Sequence, residues 1–229
     1  MEVRVAEAQY LLAVRKTLGD KVPVPEVYGL RVDGRIVFIY MQLIRGATLK
    51  ERWGTLNDSD KAVICDQLRQ MVNEWRQLAQ DPLDQFIGSI GRQPLLDVVF
   101  KGLPPTGPFL TIQAFHDWLS WLPGHLVGLK EKINDPYRQY LPDTGPITFT
   151  HADLHRGNII VSETSPPRII AIVDWALAGW YPDYWEYCKA NYTARFHEDW
   201  RDKWIPYVLR PREFEFRVFA EYMNFIGAV

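Results

Sequence analysis

The most constraining feature of this sequence is a polar segment that stands between two short apolar runs. It reads FTHADLHRGNIIV from Phe149 to Val161, and its centre has the spacing H-x-D-x-x-x-x-N. In phosphoryl-transfer chemistry, a loop of this kind supplies a carboxylate that accepts a proton from a substrate hydroxyl and an amide oxygen that binds magnesium. The spacing therefore predicts a catalytic loop at residues 149–161, with Asp153 as the base and Asn158 as a metal ligand.

A second apolar strand follows the loop and strengthens this interpretation. The run RIIAIVDWALAG places Asp174 at the end of a strand at residues 169–175, where its carboxylate would complete a metal site. We expect His151 to fasten the loop backbone through hydrogen bonds of its ring. The alternative is that Asp153 and Asn158 are ordinary loop residues, since Asp and Asn both favour turns. The order strand, loop, strand and acid favours the catalytic interpretation.

Three further segments carry a resemblance to a known family. They are VPVPEVYGL at 22–30, FIYMQLIRGATL at 38–49 and IVDWALAGWYPDYWEY at 172–187. With the loop, they make the chain similar to fungal-type members of the aminoglycoside phosphotransferase and choline kinase family. The resemblance implies an α+β fold of the protein-kinase type, with a residual small lobe of one helix and a hairpin at residues 1–45 and a mainly helical large lobe at residues 46–229.

The resemblance also implies roles for particular residues. Asp153 would be the catalytic base, Asn158 and Asp174 would hold Mg²⁺, and the backbone near Gln42 and Ile44 would meet the adenine of ATP. These assignments make ATP and Mg²⁺ the expected cofactors.

The resemblance also assigns positions to His155 and Glu7. The resemblance places His155 where a related kinase carries a cation near the γ-phosphate, and a solvent-facing loop histidine is an equal alternative. Glu7 matches the helix glutamate that pairs with a strand lysine in kinases of this fold.

The sequence has no glycine-rich phosphate loop, and the strand lysine would lie upstream of Met1. We therefore expect a truncated N-terminal lobe, no cationic partner for Glu7 and inefficient phosphoryl transfer. Two explanations stay open: the chain is part of a longer kinase, or the short form is the working protein.

Composition narrows the class of partner. The net charge is −2 and the basic residues are scattered, which argues against a nucleic-acid binder. No apolar stretch approaches the length of a membrane span. Cys65 and Cys188 lie in apolar helical patterns and are expected to be buried free thiols of a cytoplasmic protein.

The first half of the chain is predicted as a helix, a hairpin and a longer helix. Apolar spacing predicts a helix at residues 2–18, and Asp33-Gly34 is a strong hairpin turn signal. An incomplete small-lobe sheet would leave an edge exposed, which could pair with a second copy in a homodimer or with a strand of another chain. Asn57 or Asp58 is expected to cap a helix that runs to about Gln80.

The second half is predicted to be helical and rich in aromatic residues. The segment 81–108 is expected to wander over the surface because it is rich in Gly and Pro. Thr111 is expected to precede a helix in which His116 is partly exposed. Three acids that follow the aromatic segment could meet a cationic acceptor or form a solvated helix face: Glu198, Asp199 and Asp202.

Three functions remain open at this point. The first is ATP-dependent transfer of a phosphoryl group to a hydroxyl-bearing or aromatic small molecule. The second is a binding module of the pseudokinase type that keeps the loop for stability. The third is a nucleotide-independent enzyme that performs an acid–base rearrangement or cyclisation of a bulky metabolite in the same cleft.

Overall fold

A computed structural model describes residues 5–34, 36–128 and 135–228 of the chain. The α-helices in these residues are α1 (Val5–Leu18), α2 (Leu49–Arg52), α3 (Asp58–Arg76), α4 (Ile112–Leu126), α5 (Trp185–Thr193), α6 (Ile205–Val208) and α7 (Glu213–Phe225). The strands are β1 (Val27–Asp33), β2 (Ile36–Met41), β3 (Ala47–Thr48), β4 (Ile147–Thr150), β5 (Ile159–Val161), β6 (Ile169–Ile172) and β7 (Gly179–Pro182). Short 3₁₀ turns lie at Gly19–Lys21, Trp53–Thr55, Ile90–Arg92, Val98–Phe100, Arg138–Tyr140 and Arg156–Asn158, and a π-helical turn lies at Trp200–Trp204.

The strands form three small antiparallel sheets, so the fold is of the predicted α+β class. The first is the β1–β2 hairpin, the second has the order β3-β5-β6, and the third pairs β4 with β7. The predicted catalytic loop therefore leaves one sheet after β4 and enters another at β5. Strands therefore hold the loop backbone at both ends, which limits the positions of its polar side chains.

The predicted hairpin is present, and its turn follows from the sequence. Gly34 has a φ of +59°, a value that glycine adopts without strain. Val27, Val37 and Ile39 in the hairpin are half-buried. Its other large apolar side chains are exposed. They are Tyr28, Leu30, Val32, Ile36, Phe38, Tyr40 and Met41.

Helix α1 joins the hairpin to the rest of the molecule. It begins at Val5 among the described residues, and the predicted start at residue 2 lies outside them. The hydroxyl of Tyr10 lies 2.8 Å from the hydroxyl of Ser89 and accepts a hydrogen bond of 2.7 Å from the backbone N of Ile90. The face of α1 that carries Tyr10 is buried, so the helix rests on the large lobe rather than on the hairpin alone.

The predicted cap of α3 is confirmed, and α4 begins directly after Thr111, as predicted. The side chain of Asn57 accepts from the backbone N of Asp60, and that of Thr111 accepts from the backbone N of Ala114. Helix α3 ends at Arg76 rather than near Gln80.

The prediction that His116 is partly exposed is wrong. Its ring is fully buried, with Nε2 2.8 Å from the Tyr184 hydroxyl and Nδ1 3.2 Å from Asp143 Oδ1. Burial lowers the pKa of His116 to about 4. The helical pattern alone did not reveal these distant polar partners.

The segment at residues 81–108 was expected on the surface, and part of it is instead buried. Asp97 is 3% exposed because its carboxylate accepts from Lys189 Nζ at 2.6 Å and from Trp185 Nε1 at 3.0 Å. This buried ion pair ties the segment to helix α5. Composition favours a loop here, but it does not reveal a charge partner 92 positions away in the chain.

Two apolar clusters form the interior. The first joins α1, α3, β5 and β6 and contains Trp75 and Trp175. The second joins α4, α5 and α7 around Trp185. Cys65 and Cys188 are free and buried within these clusters, as predicted.

Gly46 lets the segment after the hairpin pass close to the sheet of β3, β5 and β6. A Cβ atom at Gly46 would lie 2.6 Å from Ile170 Cδ1 and 2.7 Å from the backbone O of Val161. Only glycine lets the chain pass this close before it enters β3. Among the described residues, none of the helices combines the length and the hydropathy needed to cross a membrane.

Candidate functional site

The buried imidazole of His151 holds the start of the catalytic loop. Its Nδ1 accepts from the backbone N of Asp153 at 3.2 Å, so the proton sits on Nε2, which donates to the backbone O of Val173 at 3.1 Å. Burial lowers the pKa of His151 to about 4, which keeps the ring neutral at pH 7. The ring also packs on Trp175, with centroids 4.6 Å apart. His151 thus has the fastening geometry that the sequence predicted.

Glu186 is a residue of the site that sequence reasoning missed. Its carboxylate accepts from the backbone N of His151 at 2.7 Å and from the backbone N of Ala152 at 3.0 Å. Burial raises the pKa of Glu186 to about 7. A signal was present in the sequence, because Glu186 is a lone acid among aromatic residues in the segment YWEY.

Asp153 and Asn158 face each other across the loop. Asn158 Nδ2 donates to the backbone O of Asp153 at 2.9 Å and to its Oδ2 at 3.1 Å. Both amide hydrogens are thereby directed to Asp153, which turns the amide oxygen of Asn158 away from it. The Asp153 side chain is 13% exposed, so its carboxylate can be reached from solvent.

His155 lies beside Asp153 at the outer side of the loop. Its Nδ1 accepts from the backbone N of Gly157 at 2.9 Å, and its Nε2 lies 3.7 Å from Asp153 Oδ2. The side chain is 41% exposed. Because Nδ1 accepts from the backbone of Gly157, the Nε2 edge of the ring faces Asp153.

Asp174 is brought next to Asn158 by the backbone. The N–H of Val173 donates to the backbone O of Asn158 at 2.9 Å. Asp174 itself has a φ of +61°, and Ala152 has a φ of +64°. Such conformations are uncommon for non-glycine residues and cluster at functional sites. Two of them therefore flank the candidate site.

The donor set at this point fits a magnesium ion. Asn158 offers an amide oxygen and Asp174 a carboxylate, which are hard oxygen ligands. Mg²⁺ binds through one or two protein groups and completes its shell with water and substrate phosphates. Among the residues that the structure describes, no group of three His, Cys, Asp or Glu side chains could hold a metal by itself. The pair Asn158 and Asp174 is consistent with a metal that is shared with a phosphate.

Glu7 lies on α1 and is half-buried. Burial raises its pKa to about 7, and the charge of Asp174 contributes in the same direction. Within residues 5–34, 36–128 and 135–228, Glu7 has no ion pair. Because the charge of Asp174 acts on the carboxyl of Glu7, α1 places Glu7 on the side of the site where Asp174 lies.

Gln42 and Ile44 lie on the connection between the hairpin and β3. The backbone N of Gln42 donates to the backbone O of Glu26 at 2.8 Å, and Glu26 N donates to Gln42 Oε1 at 3.4 Å. Gln42 is exposed and Ile44 is half-buried. The connection then pairs with β5 through β3, so it is tied to the strand that follows the catalytic loop.

A cavity of about 600 Å³ opens beside the loop on the side of α5. His155, Arg156 and Gly157 form one wall, and the opposite walls come from the end of α2 and the turn after α5. Arg156 pairs with Glu198, and Asp199 accepts from Lys61 Nζ and Trp53 Nε1, each at 2.8 Å. We call this space the loop cavity.

A protein-family model matches most of the chain. The model described as "Phosphotransferase enzyme family" matches residues 2–222 of the chain. A curated relative, "Probable protein kinase UbiB" from Marinobacter nauticus, is 38% identical over 79 residues. That match covers 30% of this chain and 14% of the relative, so the chain spans only a small part of the relative's length.

Solved structures match nearly the whole chain. Aminoglycoside-3'-phosphotransferase of type VIII has a TM-score of 0.56 at 13% identity, and the match covers 97% of this chain and 79% of that one. The phosphotransferase APH(3'')-Id from Streptomyces rimosus, solved with ADP and streptomycin, has a TM-score of 0.55 at 15% identity, and the match covers 98% and 84% of the two chains. At these identities the likeness shows the fold, which is the α+β kinase-like fold of aminoglycoside phosphotransferases.

Proposed function

Because this chain belongs to the phosphotransferase enzyme family, we propose that it transfers the γ-phosphoryl group of ATP to a hydroxyl group of a small molecule. The observation that carries the proposal is the geometry of Asp153. Its carboxylate is accessible, it is oriented by the Asn158 amide, and its backbone is held by His151. A general base needs this combination of access and fixed orientation.

The proposed reaction assigns one task to each loop residue. Asp153 accepts the proton of the acceptor hydroxyl as the acceptor oxygen bonds to the γ-phosphorus. The bond between that phosphorus and the β,γ-bridging oxygen breaks, and ADP leaves with the electron pair. His151 keeps the base in position, and the N–H edge of His155 can donate to Asp153 or to a phosphate oxygen nearby.

Asn158 and Asp174 would hold Mg²⁺ in this proposal. When bound, the ion neutralises charge on the phosphate oxygens. The backbone near Gln42 and Ile44 would meet the adenine, on the connection that is already tied to β5. Glu7 would line the phosphate side of the cleft from α1.

A second candidate function is a binding module of the pseudokinase type. The observation that favours it is the half-buried carboxyl of Glu7, whose pKa is raised to about 7 by burial and by the charge of Asp174. In an efficient kinase of this fold, the strand lysine that pairs with the corresponding glutamate holds the α- and β-phosphates of ATP. The third alternative, a nucleotide-independent rearrangement or cyclisation, predicts turnover without ATP that depends on Asp153.

A calorimetric titration with ATP and MgCl₂ separates these alternatives when it is combined with an assay of ADP release. For the proposed kinase we expect saturable ATP binding that Asp174→Ala abolishes and the exposed control Asp20→Ala preserves. With a panel of alcohols as acceptors, Asp153→Asn should lower ADP release by about 10²–10⁴-fold without loss of ATP binding. Failure to bind ATP would contradict the proposal. Binding without any release of ADP would favour the pseudokinase.

We further propose a homodimer and a cytoplasmic location. The exposed apolar side chains and free edges of the β1–β2 hairpin support pairing with a second copy. The two free, buried cysteines are typical of a reducing compartment.

A further inference from the structure

The loop cavity lies beside the catalytic loop, close to Asp153. His155 forms part of its wall, and its Nε2 lies 3.7 Å from the carboxylate of Asp153. An acceptor in the cavity could extend its hydroxyl past the edge of this ring to reach Asp153. The volume of about 600 Å³ lies in the range of small-molecule sites.

The acids of the loop cavity are already neutralised. Glu198 is paired with Arg156, and the side chains of the pair are only 29% and 17% exposed. Asp199 is paired with Lys61, which is 14% exposed, and also accepts from the indole of Trp53. Asp202 lies elsewhere, in a small depression lined by Tyr187 and Arg201. The predicted contact of these three acids with a cationic acceptor is therefore not favoured.

The tryptophans of the loop cavity hold protein cations rather than offering open ring faces. Trp53 and Trp200 are both buried and meet edge to face, with centroids 5.1 Å apart. The guanidinium of Arg156 lies over both rings, at 5.4 Å and 5.8 Å, and the ammonium of Lys61 lies 4.8 Å from the Trp53 ring. Cation–π contact of this kind keeps the positive charges at the cavity.

Two further cations line the loop cavity without an acidic partner. Lys50 at α2 and Arg195 after α5 are exposed, and neither has an ion pair among the residues that the structure describes. The lining thus carries three cations, Lys50, Arg156 and Arg195, against the two acids Glu198 and Asp199. A polycationic ligand would meet repulsion here, whereas an anionic group would meet unpaired positive charge.

From these charges we propose that the loop cavity binds an acceptor that carries a carboxylate, phosphate or other anionic group beside its reactive hydroxyl. Arg195 and Lys50 bind the anion, and the hydroxyl is directed past His155 to Asp153. The proposal names the acceptor class of the proposed phosphotransferase and rests on that function. It distinguishes this chain from a kinase whose acceptor is a polyamine.

Three probes that differ in charge test the proposal. They are 6-hydroxy-2-naphthoate, its neutral 6-hydroxy-2-naphthamide and the cationic 6-(aminomethyl)-2-naphthol, which share one ring frame and one hydroxyl. Their dissociation constants are measured at low ionic strength by titration of the full chain in the absence of nucleotide. We expect the anion to bind at least about fivefold more tightly than the amide, and the cation to bind most weakly.

Charge variants locate the effect. Arg195→Gln and Lys50→Gln should each reduce the preference for the anion to less than about twofold, because each variant removes one of the two unpaired positive charges. Arg217→Gln removes the same charge from an exposed site on α7 and should leave the preference unchanged. Equal or tighter binding of the cation, equal loss in Arg217→Gln, or no saturable binding of the anion would overturn the proposal. The titration contains no nucleotide, so its result can be interpreted even if the chain does not transfer a phosphoryl group.

Discussion

The strands around the catalytic loop and the β1–β2 hairpin have similar apolar sequences, yet the chain packs one region and leaves the other open. Phe149, Ile159 and Val161 are buried beside the loop. In the hairpin, Phe38 is 44% exposed and Tyr40 is 54% exposed. Apolar residues on a strand therefore indicate a core in the first region and an uncovered surface in the second.

This difference separates the two halves of the proposed site. The half that carries Asp153, Asn158 and Asp174 is supported entirely within the chain, through His151 and Glu186. The half that would meet the adenine depends on a two-stranded hairpin, an arrangement that is marginally stable by itself. We therefore expect substitutions that support the loop to have large effects and substitutions in the hairpin to have small ones.

The largest effect is expected at the buried ion pair that anchors α5. Asp97→Ala should lower the free energy of unfolding by about 3–5 kcal/mol, because it leaves the buried ammonium of Lys189 without a partner. In the hairpin, Asp33 forms a surface pair with Arg31. Asp33→Ala should change the same quantity by less than about 1 kcal/mol. Urea denaturation followed by circular dichroism measures both.

A double variant tests the cause of this effect. Asp97→Leu combined with Lys189→Met removes both charges, so it should recover much of the stability that Asp97→Ala loses. If the double variant were as unstable as the single one, packing rather than the unpaired charge would be the cause. Similar losses in Asp97→Ala and Asp33→Ala would contradict the contrast between the two regions.

The second effect is expected at Glu186, which holds the start of the loop. Glu186→Ala leaves the backbone N–H groups of His151 and Ala152 without their partner. We expect a loss of about 2–3 kcal/mol in unfolding free energy, since buried unpaired donors are costly. In any phosphotransfer assay its activity should also fall, because Asp153 follows directly. The exposed Glu163→Ala should leave both quantities unchanged.

The pH dependence of stability gives a check on Glu186. Burial raises the folded-state pKa of Glu186 from 4.5 to about 7. Between pH 4.5 and pH 7 its carboxyl is therefore protonated in the folded protein and ionised in the unfolded chain. This proton makes the folded state more stable at low pH, and its contribution is lost as pH rises from about 4.5 to 7. Glu186→Gln should remove that contribution. An unchanged pH profile in Glu186→Gln would contradict the assignment.

The positions of the loop residues follow from sequence because they depend on local spacing. The run from His151 to Asn158 is short and bounded by strands, so the geometry of the loop leaves few alternatives. The same holds for the turn at Gly34, for the cap at Asn57 and for the start of α4 after Thr111. Each of these predictions needs only neighbours within a few positions in the chain.

The residues that sequence reasoning missed depend on distant partners. Glu186 reaches residues 34 and 35 positions away, Lys189 reaches Asp97 across 92, and Tyr184 bonds His116 across 68. A buried polar residue looks like a surface residue in the sequence until its partner is known. The hairpin is the opposite case, because an exposed edge was predicted there and its large apolar side chains are mostly exposed.

The open edge of the hairpin gives the smallest expected effect on the single chain. The proposed homodimer would cover Phe38 and its neighbours by pairing at this edge. The Phe38 side chain is 44% exposed, so its removal should matter for association rather than for folding. The two quantities can be measured separately.

Phe38→Ser should change the unfolding free energy of the single chain by less than about 0.5 kcal/mol, because an exposed side chain loses little contact. It should weaken self-association at least about tenfold in sedimentation equilibrium, since a serine removes the apolar area that the second copy would cover. Phe225→Ser, an exposed phenylalanine on α7, is the matched control and should leave association unchanged. Hydrogen exchange adds a second view, because dilution should deprotect the amides of β1 and β2 while those of β5 and β6 stay protected. A chain that stays monomeric at every concentration would contradict the proposed homodimer. The hairpin would then be exposed in solution, as it is in the single chain.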